Sequence, residues 1–283
     1  MTLTSKDVYF TNKVEKIRDQ YNLFWSYPEA QADVDAYLRG DQYHEYRDAQ
    51  KWIKKSNCFQ PDELLDSDPV VFAQNDKALI IGNLHSFDTQ QHPKDPKKAG
   101  MSFIHLLGIP RAQIFNGVSL TPDNCNIIDD IISLFESRWG VECANHSFRT
   151  QVVEHQRNAI NENAQVQIKD VESDRDSNPR RFQEEVQKAK DRATESTNRW
   201  DCLQSVAREL KVDDFNYGLH LWPDQSVPHL HVHVVARPSF MRQFSTKEHD
   251  EKTVDARELR NFILPYGLEE TEPLDVEVTS GYP

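Results

Sequence analysis

The stretch "VPHLHVHVVARP", residues 227–238, constrains the fold more than any other part of the chain. His229, His231 and His233 alternate there with Leu230, Val232 and Val234. A period of two belongs to a β-strand, whose side chains point to opposite faces in turn. A strand over these residues predicts three imidazoles about 7 Å apart on one face and an aliphatic row on the other. Burying so many polar rings is unfavourable unless each is hydrogen-bonded or used.

Other segments supply partners for such a strand. "VVFAQNDKALIIGNL", residues 70–84, is two β-branched runs around a polar turn and predicts a hairpin. "MSFIHLLGIP" predicts a strand ended by Pro110, and "DDFNYGLHLW" another just before the histidines. "TPDNCNIIDDIISLFESRWG" predicts an amphipathic helix with a Thr cap, Pro at its first position, an apolar face from Ile127 to Phe135 and a stop at Gly140. "DARELRNFIL" predicts a short helix near the end.

Two regions fit the sheet less directly. Residues 1–57 read as helical, including "DQYHEYRDAQKWIKK". Residues 141–212 are charged, and a helix is expected from Asn178-Pro179 onward, preceded by an exposed hinge, "NENAQVQIKDVESDRDSNPR". A mean hydropathy of -0.74 calls for a poorly buried segment of this kind, and a solvated helical insertion is the expectation. Between the hairpin and His105, "HSFDTQQHPKDPKKAG" reads as a loop, long enough to suggest function.

Charge and cysteines bound the function. A net charge of -13 argues against extended nucleic-acid or anionic-membrane binding, which need a cationic surface. A small phosphate pocket is not excluded, because a few local donors suffice. The four scattered cysteines form no C-x-x-C pair, the N-terminal residues lack the apolar core of a signal peptide, and no run reaches the roughly 18 apolar residues of a membrane span. A soluble, cytoplasmic protein is the expectation.

Three meanings of the histidine row stand open on chemistry. It is an exposed edge strand, or a metal site completed by His85, His105 or His220, or a nucleophilic centre at phosphorus. Neutral imidazole serves the last two equally well.

The row with its upstream residues, "QSVPHLHVHVV", resembles the signature of the histidine triad (HIT) family, in which three histidines alternate with apolar residues after a Gln-Ser/Thr-Val step. "HLLGIPRAQIFNGVSLTPDN" resembles a second family segment, in the expected order. The resemblance covers about 70–140 and 213–240. It implies the α+β class, a HIT-like antiparallel sheet with helices packed on it, in a catalytic domain over 70–283 interrupted at about 141–212. Residues 1–69 stand outside it as a helical extension.

The resemblance implies a nucleotide hydrolase or nucleotidyl transferase, a phosphoramidase or dinucleoside polyphosphate hydrolase, that needs no metal or other cofactor. His231 would attack the α-phosphorus of a nucleotide-type substrate and carry a nucleotidyl-histidine intermediate. His233 would hydrogen-bond a phosphoryl oxygen; His229 would position the nucleophile and pass a proton to the leaving group; His105 would orient the network. Ser226 would contact the phosphate or leaving group, Gln225 would line the leaving-group side, and Asn83 and Asn216 would face sugar or phosphate. A homodimer is a further implication. Asp224 departs from the family's usual glycine, and its carboxylate would repel phosphate or recruit a basic leaving group. Redirection of the pocket to non-nucleotide acid–base chemistry or ligand binding stands as the alternative.

Overall fold

The computed structural model describes residues 13–39, 43–44, 51–52, 71–83, 88–140, 146–173, 179–225 and 227–267. Its centre is a six-stranded antiparallel sheet ordered β3-β4-β5-β7-β6-β8, formed by Val71–Gln74, Ala78–Gly82, His105–Pro110, Val232–Ala236, Phe215–His220 and Thr253–Asp255. The molecule is α+β.

The predicted hairpin forms: β3 pairs with β4, and Asn75 holds the turn by accepting from the backbone N–H groups of Lys77 and Ala78. Alternation then sorts each strand. Ala78, Ile80, Leu106, Val232, Val234, Ala236, Phe215, Tyr217 and Leu219 enter the main core. On the opposite face Leu79, Ile81, Leu107 and Ile109 form a small apolar cluster of their own.

Helix α3 (Ile127–Trp139) covers the main-core face, burying Ile128, Ile131, Ile132, Leu134 and Phe135. It starts at Ile127 rather than at Thr121-Pro122. The intervening residues form turns, and Asn124 Oδ1 takes the Thr121 N–H that a helix would leave unpaired. The helix lies so close to β5 that a Cβ on Gly108 would sit 2.2 Å from Ile131 Cγ2. Near the end of the described chain, α8 (Ala256–Ile263) is capped by Asp255, whose carboxylate accepts from the N–H groups of Arg257 and Glu258.

The N-terminal segment gives α1 (Val14–Ser26) and α2 (Pro28–Leu38). Ile17, Tyr21, Phe24, Ala30 and Tyr37 belong to the same core as the sheet, so these helices are built into it. The third expected helix does not form where the chain is described: Tyr43–His44 (β1) pairs antiparallel with Lys51–Trp52 (β2).

The charged insertion is a hairpin of two long helices, α4 (His146–Ser173) and α5 (Pro179–Arg208). The expected hinge is largely helix, because 146–173 contains neither Gly nor Pro to stop it; Pro179 then occupies the first position of α5. The base of this hairpin is not solvated. Phe148, Val152, Val153, Ile160 and Trp200 join the main core, and Trp200 stacks on Phe103 with centroids 5.7 Å apart. Buried Asp88 anchors it further, accepting from Ser196 Oγ at 2.7 Å and pairing with Arg199. Exposed ion pairs run along the rest of the hairpin: Arg157 joins Asp201 across the two helices, and Arg180 with Glu184 and Lys188 with Glu185 lie along α5.

Candidate functional site

Register brings the histidines together. In the β5–β7 pair His105 stands opposite Val235 and Leu107 opposite His233, so both rings leave the sheet on the face away from α3. On β6, Asn216 and His220 point the same way, since Phe215, Tyr217 and Leu219 take the core side. The centroid of His233 lies 5.1 Å from His105, 4.4 Å from His220 and 4.9 Å from His231. His105, His220, His229, His231 and His233 are all buried, and His231, at 8 %, is the most exposed of the five.

The three signature histidines do not share one pleated strand. β7 begins at Val232, and His229 has φ 92°, a left-handed value that side chains bearing a Cβ rarely adopt. His231 and His233 meet because the chain bends into the strand. The bend is fixed by backbone pairing of His229 N–H with Phe115 O at 2.9 Å and Leu230 N–H with Ile114 O at 2.7 Å.

Proton positions follow from the partners. The Met101 backbone N–H, which can only donate, points at His105 Nδ1 at 3.4 Å, and the Asn83 amide lies 3.0 Å from the same atom. His105 Nδ1 is therefore an acceptor, and its Nε2–H donates to His233 Nδ1 at 2.9 Å. That leaves the His233 proton on Nε2, a buried atom with no protein partner. His231 Nδ1–H donates to His229 O at 2.9 Å, which puts the in-plane lone pair of His231 on Nε2. His229 donates from Nε2 to Pro110 O at 2.9 Å and accepts at Nδ1 from the Tyr37 hydroxyl at 2.6 Å. His220 Nε2–H donates to Thr253 Oγ1 at 2.9 Å, because that hydroxyl gives its own proton to His249 O.

Burial holds these rings neutral. Desolvation is the main cause of the lowered pKa of His220, His229, His231 and His233, and it brings His229 down to about 4. The Lys252 ammonium pushes His220 and His231 further in the same direction. Neutral rings beside a fixed cation suit an anionic ligand.

Of the residues expected in the site, Asn83, His105 and His233 form one hydrogen-bonded chain and His229 and His231 another, and the two meet where the His231 and His233 rings lie 4.9 Å apart. Asn216 and Gln225 are buried beside it in sequence, with Asn216 Nδ2 and both amide atoms of Gln225 lacking a protein partner. Ser226 and His85 lie outside the described residues. Asp224 is not aimed at a ligand: it pairs with Lys16 at 2.9 Å and accepts from Gln20 at 3.1 Å, both on α1. Its charge is compensated there, so the expected repulsion of phosphate loses its basis.

Three participants were missed by sequence reasoning. His220 enters the sequence reading only as a metal ligand, although period two from Asn216 places it on the site face. Lys252 and Tyr37 carried no local signal. Among the described residues, no group of three or more His, Cys, Asp or Glu is arranged to hold a metal ion. A cleft of about 750 Å³ lies elsewhere, between the 92–98 loop and the far ends of α4 and α5, and none of the five histidines lines it. No helix among the described residues is long and apolar enough to cross a membrane. Comparison with protein-family models, curated proteins and solved structures finds no match to this chain.

Proposed function

We propose that the chain is a nucleotide hydrolase or nucleotidyl transferase of the histidine triad type, acting at the α-phosphorus through His231. The observation that carries this reading is the pairing of complementary atoms: a lone pair on His231 Nε2 and, one ring away, a buried His233 Nε2–H with no protein partner. One is a nucleophile and the other an oxyanion donor.

In the first step His231 Nε2 forms a bond to phosphorus as the bond to the leaving group breaks, and the leaving group departs with that electron pair. The Nδ1–H bond to His229 O supports the positive charge that develops on the ring. His233 Nε2–H donates to the phosphoryl oxygen, and its orientation is set by His105 and Asn83 behind it. Both ring nitrogens of His229 are occupied, so the proton for the leaving group comes from water or substrate rather than from this residue. In the second step water attacks phosphorus, the P–N bond breaks, the nucleoside monophosphate leaves and a proton is released.

The test is incubation with a labelled nucleoside phosphoramidate followed by detection of an acid-labile adduct. Wild type is expected to be labelled, and His231→Ala to lose at least about a thousandfold in rate while remaining folded. Absence of both adduct and turnover across a nucleotide panel removes the proposal.

A further inference from the structure

The N-terminal helices contact the histidine loop and the β8 region at several separated points. Lys13 Nζ donates to Thr253 O at 2.8 Å and Glu251 O at 3.1 Å, beside Lys252. Lys16 holds Asp224, and Asp33 accepts from Trp222 Nε1 at 3.2 Å. Phe24 packs on Phe115 and Trp222, at centroid distances of 6.3 and 5.9 Å. The contact that reaches a signature histidine is Tyr37, which is 5 % exposed and whose hydroxyl bonds to His229.

His229 is held in a backbone conformation that is costly for a side chain bearing a Cβ. Such a residue persists only where its surroundings over-determine it, and here all four of its polar atoms are engaged. Its N–H goes to Phe115 O, its Nε2–H to Pro110 O, its carbonyl to His231 Nδ1–H, and its Nδ1 to Tyr37. The first three partners belong to the sheet and its loops. The fourth comes from the segment outside the family resemblance.

We propose that Tyr37, carried in by the N-terminal helical pair, is a positioning residue of the histidine centre. Its hydroxyl donates to His229 Nδ1 and so fixes the carbonyl that orients the His231 ring. This rests on the function proposed above for its catalytic consequence, though not for its effect on the rings. The phenyl ring packs on Phe115 at 5.8 Å, so Tyr37→Phe keeps the packing and removes only the donor. Tyr21 supplies a matched control: its buried hydroxyl, on the same helical pair, donates to Leu120 O at 3.1 Å rather than to a ring of the histidine centre.

The experiment uses the full chain, uniformly labelled with ¹⁵N, as wild type, Tyr37→Phe and Tyr21→Phe. Ring-nitrogen spectra report His229 and His231, and adenosine 5′-phosphoramidate reports the rate of adduct formation. In Tyr37→Phe, the His229 Nδ1 resonance is expected to move toward that of an unbonded lone pair. The His231 Nδ1 proton should exchange with water about tenfold faster, and adduct formation should slow about tenfold with KM changed less than about twofold. Tyr21→Phe should leave all of these as in wild type. An unmoved His229 resonance, unchanged His231 exchange, or equal losses in Tyr21→Phe overturns the proposal. A wild type that forms no adduct removes the function instead, and the ring spectra still decide the role of Tyr37.

Discussion

The two faces of one sheet are built on opposite terms. On the α3 side, Val232 and Val234 of β7 meet Leu106, Phe215 and Tyr217 in a core that needs only apolar volume. On the other side, His233 of the same strand meets His105 and His220, and each ring requires a partner at a particular nitrogen. Apolar burial is non-directional and tolerant of rearrangement, whereas a buried polar network fails if one member is misplaced. The difference teaches that a single alternating strand separates stability from chemistry, and substitutions should split accordingly.

The largest break is expected on the apolar side. Phe135 is fully buried, with its ring 4.9 Å from Phe215, so Phe135→Ala should cost about 3–5 kcal/mol in a denaturant titration. The fraction still folded should form adduct at the wild-type rate. A loss of rate in that folded fraction would erase the distinction between the faces.

His233→Leu, which fills the space but has no donor to offer, should do the reverse. Loss of the Nε2–H donor is expected to slow adduct formation about a hundredfold, near 2.7 kcal/mol of transition-state stabilisation, with stability lowered by only about 1 kcal/mol. Equal damage to both quantities would mean that His233 is a structural residue.

Acid sharpens the contrast next. His229 in the folded state has its pKa lowered to about 4, below the ordinary 6.5, so the unfolded chain binds the additional proton between these values. Stability is then complete above about pH 6.5 and falls as pH drops toward 4. Between pH 7 and 5 this group alone should remove about 2 kcal/mol, with His220, His231 and His233 acting in the same sense. Burial raises the pKa of Asp250 and Asp255, which opposes this trend only once pH enters the carboxylate range. A melting temperature that is flat from pH 7 to 5 would contradict the buried, neutral rings.

The smallest effect belongs to Asp224. Its pairing with Lys16 is partly exposed, so Asp224→Asn should change stability by less than about 1 kcal/mol and leave the ranking of nucleotide leaving groups unchanged. A switch in preference away from amine leaving groups would show that the carboxylate faces substrate after all.

Much of the sheet was legible in the sequence because its signals are local. Asn75 marks the β3–β4 turn, an apolar run ended by Pro110 marks β5, alternation marks β6 and β7, and Asp255 marks the start of α8. His231 and His233 were legible as a pair from spacing. The bend at His229 was not, since nothing in "PHLHVH" announces a positive φ; it exists because Phe115, Pro110 and Tyr37 hold it. Nor was the anchoring of the insertion legible: Trp200 reads as one aromatic in a charged helix until Phe103 is placed beneath it. The helical reading failed at Tyr43–His44 and Lys51–Trp52, where antiparallel pairing of the two segments overrides local propensity.

By itself, the order of residues determined which segments alternate, which turn, and which side of β7 carries imidazole, because periodicity acts between near neighbours along the chain. Only the tertiary structure decided which nitrogen of each ring bears a proton, since that depends on donors arriving from Met101 and Tyr37 and an acceptor from Pro110, as many as 192 residues away. A hydrogen bond between distant segments leaves no period in either of them.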